Sequence, residues 1–325
     1  MINRQNYLDI KAHIRYLVDV RQVQDNTSRV TMGRLNHLLI YADTIPFTEF
    51  SKIKPSFQAY MEKVTNPDGS LLSASYLSSV FKVSRGFLTW SKREWPTRYK
   101  SLDLNLIEAI RPSRSRGESA VLAKREIYTL DDVIKLVNVP AITTHERRIR
   151  AGAAFLFLSG MRITAFLSMP IQALNLQDWS VSQLPELGVK TKNSKAAITY
   201  LLNIPSLRSV VAEWDQEVRS ALPMTSNWYA TLDPWGNLHE RIRNTINSRV
   251  EFRKALVILC EKAGVPYLSA HKFRHGHAVY ALKKATTMAQ MKAISQNLMH
   301  SNMGITDGIY GRLVNNDVKD LLQDL

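Results

Sequence analysis

The sequence predicts a mainly α-helical protein of two domains with one small β-hairpin, and three observations carry that expectation. The chain has 325 residues, 45% of them hydrophobic, more than one typical domain and enough apolar side chains for two cores. Apolar residues recur at helical spacing along most of its length. One polar, basic and aperiodic run, Arg111-Pro112-Ser113-Arg114-Ser115-Arg116-Gly117, breaks that pattern as a linker would. The boundaries expected are a helical domain over residues 1–110, a basic linker over 111–126, a second domain over 127–313 and a tail over 314–325.

In the first domain, Ile10, Ile14, Leu17 and Val18 mark a helix within residues 6–24, which a polar run at 24–28 ends. Helical patterns follow at 32–41 and 57–64, and the second stops at the turn signal Asn66-Pro67-Asp68-Gly69. A longer one over 74–93 is apolar and aromatic on one face, with Leu77, Val80, Phe81 and Phe87, and basic on another, with Lys82, Arg85, Lys92 and Arg93. Phe87, Trp90 and Trp95 read as core rather than base-stacking residues. The linker arginines Arg114 and Arg116 suit either a solvated tether or a segment lying along a phosphate backbone.

In the second domain, Thr129 and Asp132 have the spacing of a capping box. An apolar helix over 148–159 should end at Gly160 and a short helix should begin near Arg162. Residues 187–192 and 197–202 flank Asn193-Ser194 and predict a β-hairpin. Helices resume over 208–222, 244–263, 271–285 and 288–298.

Charge and composition narrow the function classes. With 43 basic against 28 acidic residues the formal charge is +15, a field that favours a polyanionic partner. The longest apolar stretch, 151–158, is about half of what a membrane-spanning helix needs, so nucleic acid is expected rather than a membrane. The first residues lead into no signal-type apolar core. The single cysteine, Cys260, allows neither an internal disulfide framework nor a Cys-based zinc site. A cytoplasmic, nucleic-acid-associated protein without metal or cofactor is the expectation.

Several residues of suitable chemistry then occur in order. Arg162 follows a buried helix and a glycine turn. Lys190, Lys192 and Lys195 cluster at the hairpin. His271 and Arg274, three apart at a helix start, share one face. His300 follows the next helix, and Tyr310 lies ten residues beyond it, between Gly308 and Gly311. Two arginines could hold and neutralise a phosphoryl group as a metal ion does elsewhere. A tyrosine hydroxyl needs a base or a positive field to become a nucleophile; a histidine suits the first role, and a lysine can protonate a leaving oxygen. The His-x-x-Arg pair alone carries nothing, because His145-Glu-Arg-Arg148 matches it too. The ordered set carries the reading.

That set resembles the tyrosine recombinases, the phage-integrase family. Phe155-Leu-Phe-Leu-Ser-Gly-Met-Arg162 is similar to the first box of the family. His271-Lys-Phe-Arg-His-Gly-His-Ala278 resembles the second, and Asn297-Leu-Met-His-Ser301 followed by Tyr310 resembles the end. The resemblance implies a two-domain DNA clamp, with a helical core-binding domain and an α+β catalytic domain. It implies that Arg162, His271, Arg274 and His300 bind the scissile phosphate. Lys192 would be the general acid, with Lys190 as the alternative, and Tyr310 would form a 3′-phosphotyrosyl link that reseals without ATP. Lys82, Arg85, Lys92, Arg93, Arg114, Arg116, Lys190 and Lys195 are the candidate DNA contacts. Double-stranded DNA with specific recombination sites, a homotetramer on DNA and accessory directionality proteins are the implied partners. The tail stripe Val314, Val318, Leu321 and Leu325 could pack on its own domain or on a neighbouring protomer. Two other activities fit the same residues: a non-catalytic DNA-binding accessory protein, and a type IB topoisomerase-like relaxer. Ala165 stands where the family has an acidic residue, Met299 where it has a glycine, and the interval from His300 to Tyr310 is one residue longer than usual.

Overall fold

The computed structural model describes residues 2–112, 126–240 and 245–300. The chain divides into two compact units, Met1–Lys124 and Arg125–Leu325.

The first unit is helical. Helix α1 (Arg4–Asp19) begins at Asn3, whose side chain accepts from the Asn6 N–H at 3.1 Å, satisfying a donor the first helical turn leaves open. Helix α2 (Asp25–Ala42) takes in the polar run 24–28, so that run starts a helix instead of only ending one. A 3-10 segment (Phe47–Lys52) and α3 (Phe57–Met61) lead to the turn at residues 66–69, where Gly69 has φ +80°. Helix α4 (Ala74–Glu94), capped by Ser73, and α5 (Leu104–Glu108), capped by Asp103, complete the unit. The core gathers Ile10, Leu38, Phe47, Phe57, Phe81 and Phe87, all at most 2% exposed. Two buried polar side chains tie it together. Asn6 donates to the Ile45 carbonyl at 2.8 Å and accepts from the Phe47 N–H at 2.8 Å. Asp9 accepts from Arg98 at 2.7 Å and from the Tyr99 hydroxyl.

The second unit is built around one buried helix. Helix α6 (Leu130–Val137) opens with the capping box Thr129/Asp132. Helix α7 (Thr144–Ser159) opens with another, Thr143/Glu146, and ends at Gly160 in the left-handed conformation, φ +60°. From Phe155 to Leu158 α7 is 0% exposed, because helices α6, α9 (Pro205–Ala221), α10 (Thr245–Ala263) and α11 (His271–Lys284) all pack on it. Each such side chain contributes about 1.5–3 kcal/mol by burial. Helix α8 (Ile163–Ser168) starts directly after Arg162, as expected, and α12 (Met288–Asn297) opens with the capping box Thr287/Gln290.

The sheet differs from the expected hairpin. Strands β1 (Leu174–Asn175), β2 (Ser180–Gln183) and β3 (Ala197–Tyr200) form an antiparallel sheet in the order β1-β2-β3, with Ser180 opposite Tyr200 and Gln183 opposite Ala197. The partner of β3 is therefore 180–183, not 187–192. Pro185 lacks a ladder donor, and Gly188 turns the backbone to φ +84°, so residues 184–196 become a connecting loop. The turn at Asn193-Ser194 is where the sequence puts it, with φ +59° and +51°. A second ladder, β4 (Thr231–Leu232) with β5 (Leu238–His239), was not expected at all. Asp233 builds the turn between its strands by accepting from the Trp235 and Asn237 N–H groups, each at 2.9 Å.

Candidate active site

Three segments of the second unit meet at one point: the end of α7, the start of α11 and the turn after α12. Arg274 joins them. It is only 4% exposed; its Nη1 donates to the Gly160 carbonyl at 2.7 Å. Its Nη2 donates to the Leu298 carbonyl and to His300 Nε2, the latter at 3.0 Å. A guanidinium can only donate, so His300 Nε2 is the acceptor and its ring is neutral. Burial, then the Arg274 and Arg162 charges, push the His300 pKa down to about 4.

His271 stands on the outer side of the same helix turn. Its pKa is lowered by burial first, then by Arg274, Arg162 and Lys272, so it too is neutral near pH 7 and able to accept a proton. That the same two arginines act on both histidines places Arg162, His271, Arg274 and His300 within one electrostatic neighbourhood. Arg162, half-buried, is the N-cap residue of α8. Ala165, buried at 1%, supplies no charge beside it.

The local backbone explains why these segments fit. The Gly160 carbonyl faces Arg274 because the chain leaves α7 left-handed. A Cβ on Gly160 would lie 2.8 Å from both His277 Cδ2 and Leu298 Cδ2. His277, 1% exposed, donates Nδ1–H to the Phe157 carbonyl at 2.8 Å, and burial holds its pKa down to about 4. It is a brace between α11 and α7. After α12 the Met299 N–H donates to the Gln296 carbonyl at 2.7 Å and the His300 N–H to the Ser295 carbonyl at 3.1 Å. Those two bonds, with Met299 at φ +54°, form a Schellman cap. Met299 thus holds a conformation that favours glycine, and the cap is what aims His300 at Arg274.

Lys190, Lys192 and Lys195 are all exposed on the loop between β2 and β3. The Lys190 N–H donates to Ser168 Oγ at 2.8 Å and its Nζ lies 3.5 Å from Thr245 Oγ1. On α4 of the first unit, Lys82 and Arg93 are exposed and Arg85 is half-buried. Lys92 donates its ammonium to the Leu102 and Lys100 carbonyls, so it also braces the turn after α4. Phe87 is wholly buried. Tyr310, Arg114, Arg116, Gly308, Gly311 and the tail 314–325 lie outside the described residues.

The second His-x-x-Arg match resolves as structural. Arg148, 1% exposed, donates to the Ala230 carbonyl at 2.7 Å, pairs with Glu251 and lies 4.7 Å from the Tyr229 ring centre. Sequence reasoning did not foresee the Gly160 and Leu298 carbonyls as ligands of Arg274, nor Asn297, which ties the end of α12 to β3; such contacts span up to 114 residues of chain and leave no local signal.

No family model matches the chain, and no curated protein sequence does. Solved structures do. A lambda integrase (residues 75–356) dimer bound to a COC′ core site is 13% identical and matches with a TM-score of 0.62 over 95% of this chain and 97% of that one. The Tn1549 transposon integrase (residues 82–397) in complex with circular intermediate DNA is 12% identical, with a TM-score of 0.60 over 97% and 99%. The chain has the tyrosine recombinase fold. A lambda integrase (residues 75–356) bound to DNA matches likewise, with a TM-score of 0.61 at 12% identity over 97% and 98% of the two chains. The tyrosine recombinase fold accounts for a mostly helical chain with a small antiparallel sheet, to which β4 and β5 add a second two-stranded ladder. Among the described residues, no helix is long and apolar enough to cross a membrane.

Proposed function

We propose that this chain is a site-specific DNA strand-transfer enzyme, a recombinase or integrase that cuts and rejoins DNA through a 3′-phosphotyrosyl intermediate at Tyr310. The observation that carries the proposal is the locked guanidinium of Arg274, held between the Gly160 carbonyl and His300, beside Arg162 and a neutral His271. A rigid, water-poor cation of this kind stabilises charge on a phosphoryl group without reorganising.

In the proposed step, Tyr310 Oη attacks the scissile phosphorus and its proton passes to His271. The two arginines carry the charge that builds on the non-bridging oxygens. The P–O5′ bond breaks as Lys192, or Lys190, gives a proton to the leaving oxygen. His300 stays neutral throughout: Nε2 keeps accepting from Arg274, which leaves its Nδ1–H as a further donor. Resealing runs the same steps backwards from a new 5′-hydroxyl, and the stored phosphoester bond makes ATP unnecessary. The formal charge of +15 suits double-stranded DNA as substrate. The helical first unit, with Lys82, Arg85, Arg93 and the linker arginines Arg114 and Arg116, would supply further contacts to the duplex; a tetramer on two sites is the assembly this chemistry needs to exchange four strands.

The test uses a pool of nicked duplexes randomised around the nick, incubated with the whole chain and denatured in SDS. The proposal expects a covalent protein–DNA adduct with the wild type and none with Tyr310→Phe. An adduct that persists in Tyr310→Phe would remove the nucleophile from this account.

A further inference from the structure

Tyr200 ends β3, the strand at the open edge of the three-stranded sheet. An edge strand turns a row of N–H and C=O groups outward, without a strand to pair them. At Tyr200 one side chain takes both. Asn297 Oδ1 accepts from the Tyr200 N–H at 2.7 Å, and Asn297 Nδ2 donates to the Tyr200 carbonyl at 2.9 Å. The main-chain carbonyl of Asn297 also accepts from Thr199 Oγ1 at 3.3 Å, and Gln183 Nε2 donates to that hydroxyl at 2.6 Å. Thr199 and Gln183 are 0% and 3% exposed. The Asn297 amide therefore stands where one residue of a fourth strand would, seated on a buried hydrogen-bond chain that crosses the sheet.

The two sides of this contact carry different parts of the chemistry. Asn297 is the last residue of α12, and the Schellman cap follows it at once: Leu298 gives its carbonyl to Arg274, and His300 meets the same guanidinium. On the other side, β3 begins two residues after Lys195, and the loop it closes holds Lys190 and Lys192. The exposed lysine loop is also anchored by the Lys190 N–H on Ser168 Oγ at 2.8 Å. We infer that Asn297 is a positioning residue that sets the lysine loop against the Arg274–His300 clamp, so that acid and phosphate ligand arrive in register. The inference rests on the proposed strand-transfer reading. Its physical basis is that a general acid works only within hydrogen-bond reach of its oxygen, and a misplacement of about 1 Å costs up to about 100-fold in rate.

The experiment compares two DNA substrates carrying the site recovered from the randomised pool. One has an ordinary phosphodiester at the scissile position. The other has sulfur in place of the bridging 5′-oxygen, and sulfur leaves as a thiolate that needs no proton. Asn297→Ala should slow cleavage of the oxygen ester by about 10–100-fold and leave the sulfur ester within about threefold of wild type. The lysine that acts as acid should show the same pattern when replaced by alanine, and combining the two changes should add little. Equal losses on both substrates would overturn the inference, since they would mean a general collapse of the site. So would full activity on both. Asn297→Asp keeps the acceptor for the Tyr200 N–H but faces the Tyr200 carbonyl with a carboxylate. It gives the same ratio of ratios should the alanine variant fail to fold. If the wild type forms no adduct with any member of the pool, the strand-transfer reading fails and this inference falls with it.

Discussion

Replacing Gly276 by alanine should damage the second unit more than its one added methyl suggests. Gly276 lies between Arg274 and His277 on α11, where a Cβ would sit 1.9 Å from the Tyr128 carbonyl oxygen and 3.1 Å from Phe157 Cε2. A carbon tolerates a carbonyl oxygen at about 3.3 Å, so helix and segment must separate by roughly 1.4 Å. Neither yields easily. Tyr128 is 0% exposed; its hydroxyl donates to the Leu268 carbonyl at 2.7 Å and accepts from the Leu268 N–H at 2.6 Å, and its ring stacks on Phe273 at 4.2 Å. Overpacking of a rigid site costs up to about 3 kcal/mol, and the gain of alanine over glycine within a helix returns about 0.5–1 kcal/mol. A net loss of up to about 2 kcal/mol follows, which for a unit of this size lowers Tm by up to roughly 4–8 °C. Gly86 on α4 is the internal control, because a Cβ there meets nothing within 4 Å. Gly86→Ala should stabilise the first unit by about 0.5–1 kcal/mol. Urea and thermal unfolding of both variants measure the pair. If Gly276→Ala unfolds within about 0.5 kcal/mol of wild type, the close approach of α11 to Tyr128 is wrong.

Three further outcomes follow from the same geometry. The His277 pKa falls from 6.5 to about 4 in the fold, so the unfolded chain binds a proton more readily. The stability this group contributes is complete above about pH 6.5 and is lost as pH falls towards 4, by about 3 kcal/mol in all. His277→Asn, whose amide can still donate to the Phe157 carbonyl, should flatten that part of a pH–stability curve measured by urea unfolding. Arg148→Met removes a buried charge from Glu251, Tyr229 and the Ala230 carbonyl and should cost about 3–5 kcal/mol in unfolding experiments. DNA affinity and adduct formation measured well below its Tm should stay within about twofold, whereas Arg274→Met should lose the covalent adduct. Met299→Gly relieves a left-handed residue and should gain about 0.5–1 kcal/mol, while Met299→Ile, β-branched in the same conformation, should lose about 1–2 kcal/mol; chemical unfolding ranks the three.

What the sequence made legible was local. The Thr129/Asp132 capping box, the left-handed Gly160, the helix starting after Arg162 and the turn at Asn193-Ser194 all follow from residues a few positions apart, and each is present. The hairpin partner was misread because 187–192 carries β-like side chains, yet Pro185 and Gly188 beside it break the ladder. Strands β4 and β5 hold two residues each, too few for any alternation to register. Arg162, His271, Arg274 and His300 were singled out through order and resemblance, while the groups that hold them were not. The Gly160 carbonyl, the Asn297 amide and the backbone of Tyr128 act across about a hundred positions or more and make or meet main-chain atoms, which no side-chain pattern records. Met299 shows the converse. Its place in a resembling motif marks an oddity, and only the Schellman bonds explain what the residue there must do.

The central claim is that Tyr310 becomes covalently joined to DNA within the clamp formed by Arg162, His271, Arg274 and His300. The most direct measurement is mass spectrometry of the peptide that stays attached to DNA after the denatured adduct is digested. The account predicts a single peptide spanning Tyr310, linked to a 3′-phosphate and absent from Tyr310→Phe. Attachment at any other residue, or a chain that binds the duplex with strong salt dependence yet never forms an SDS-stable adduct, would contradict it.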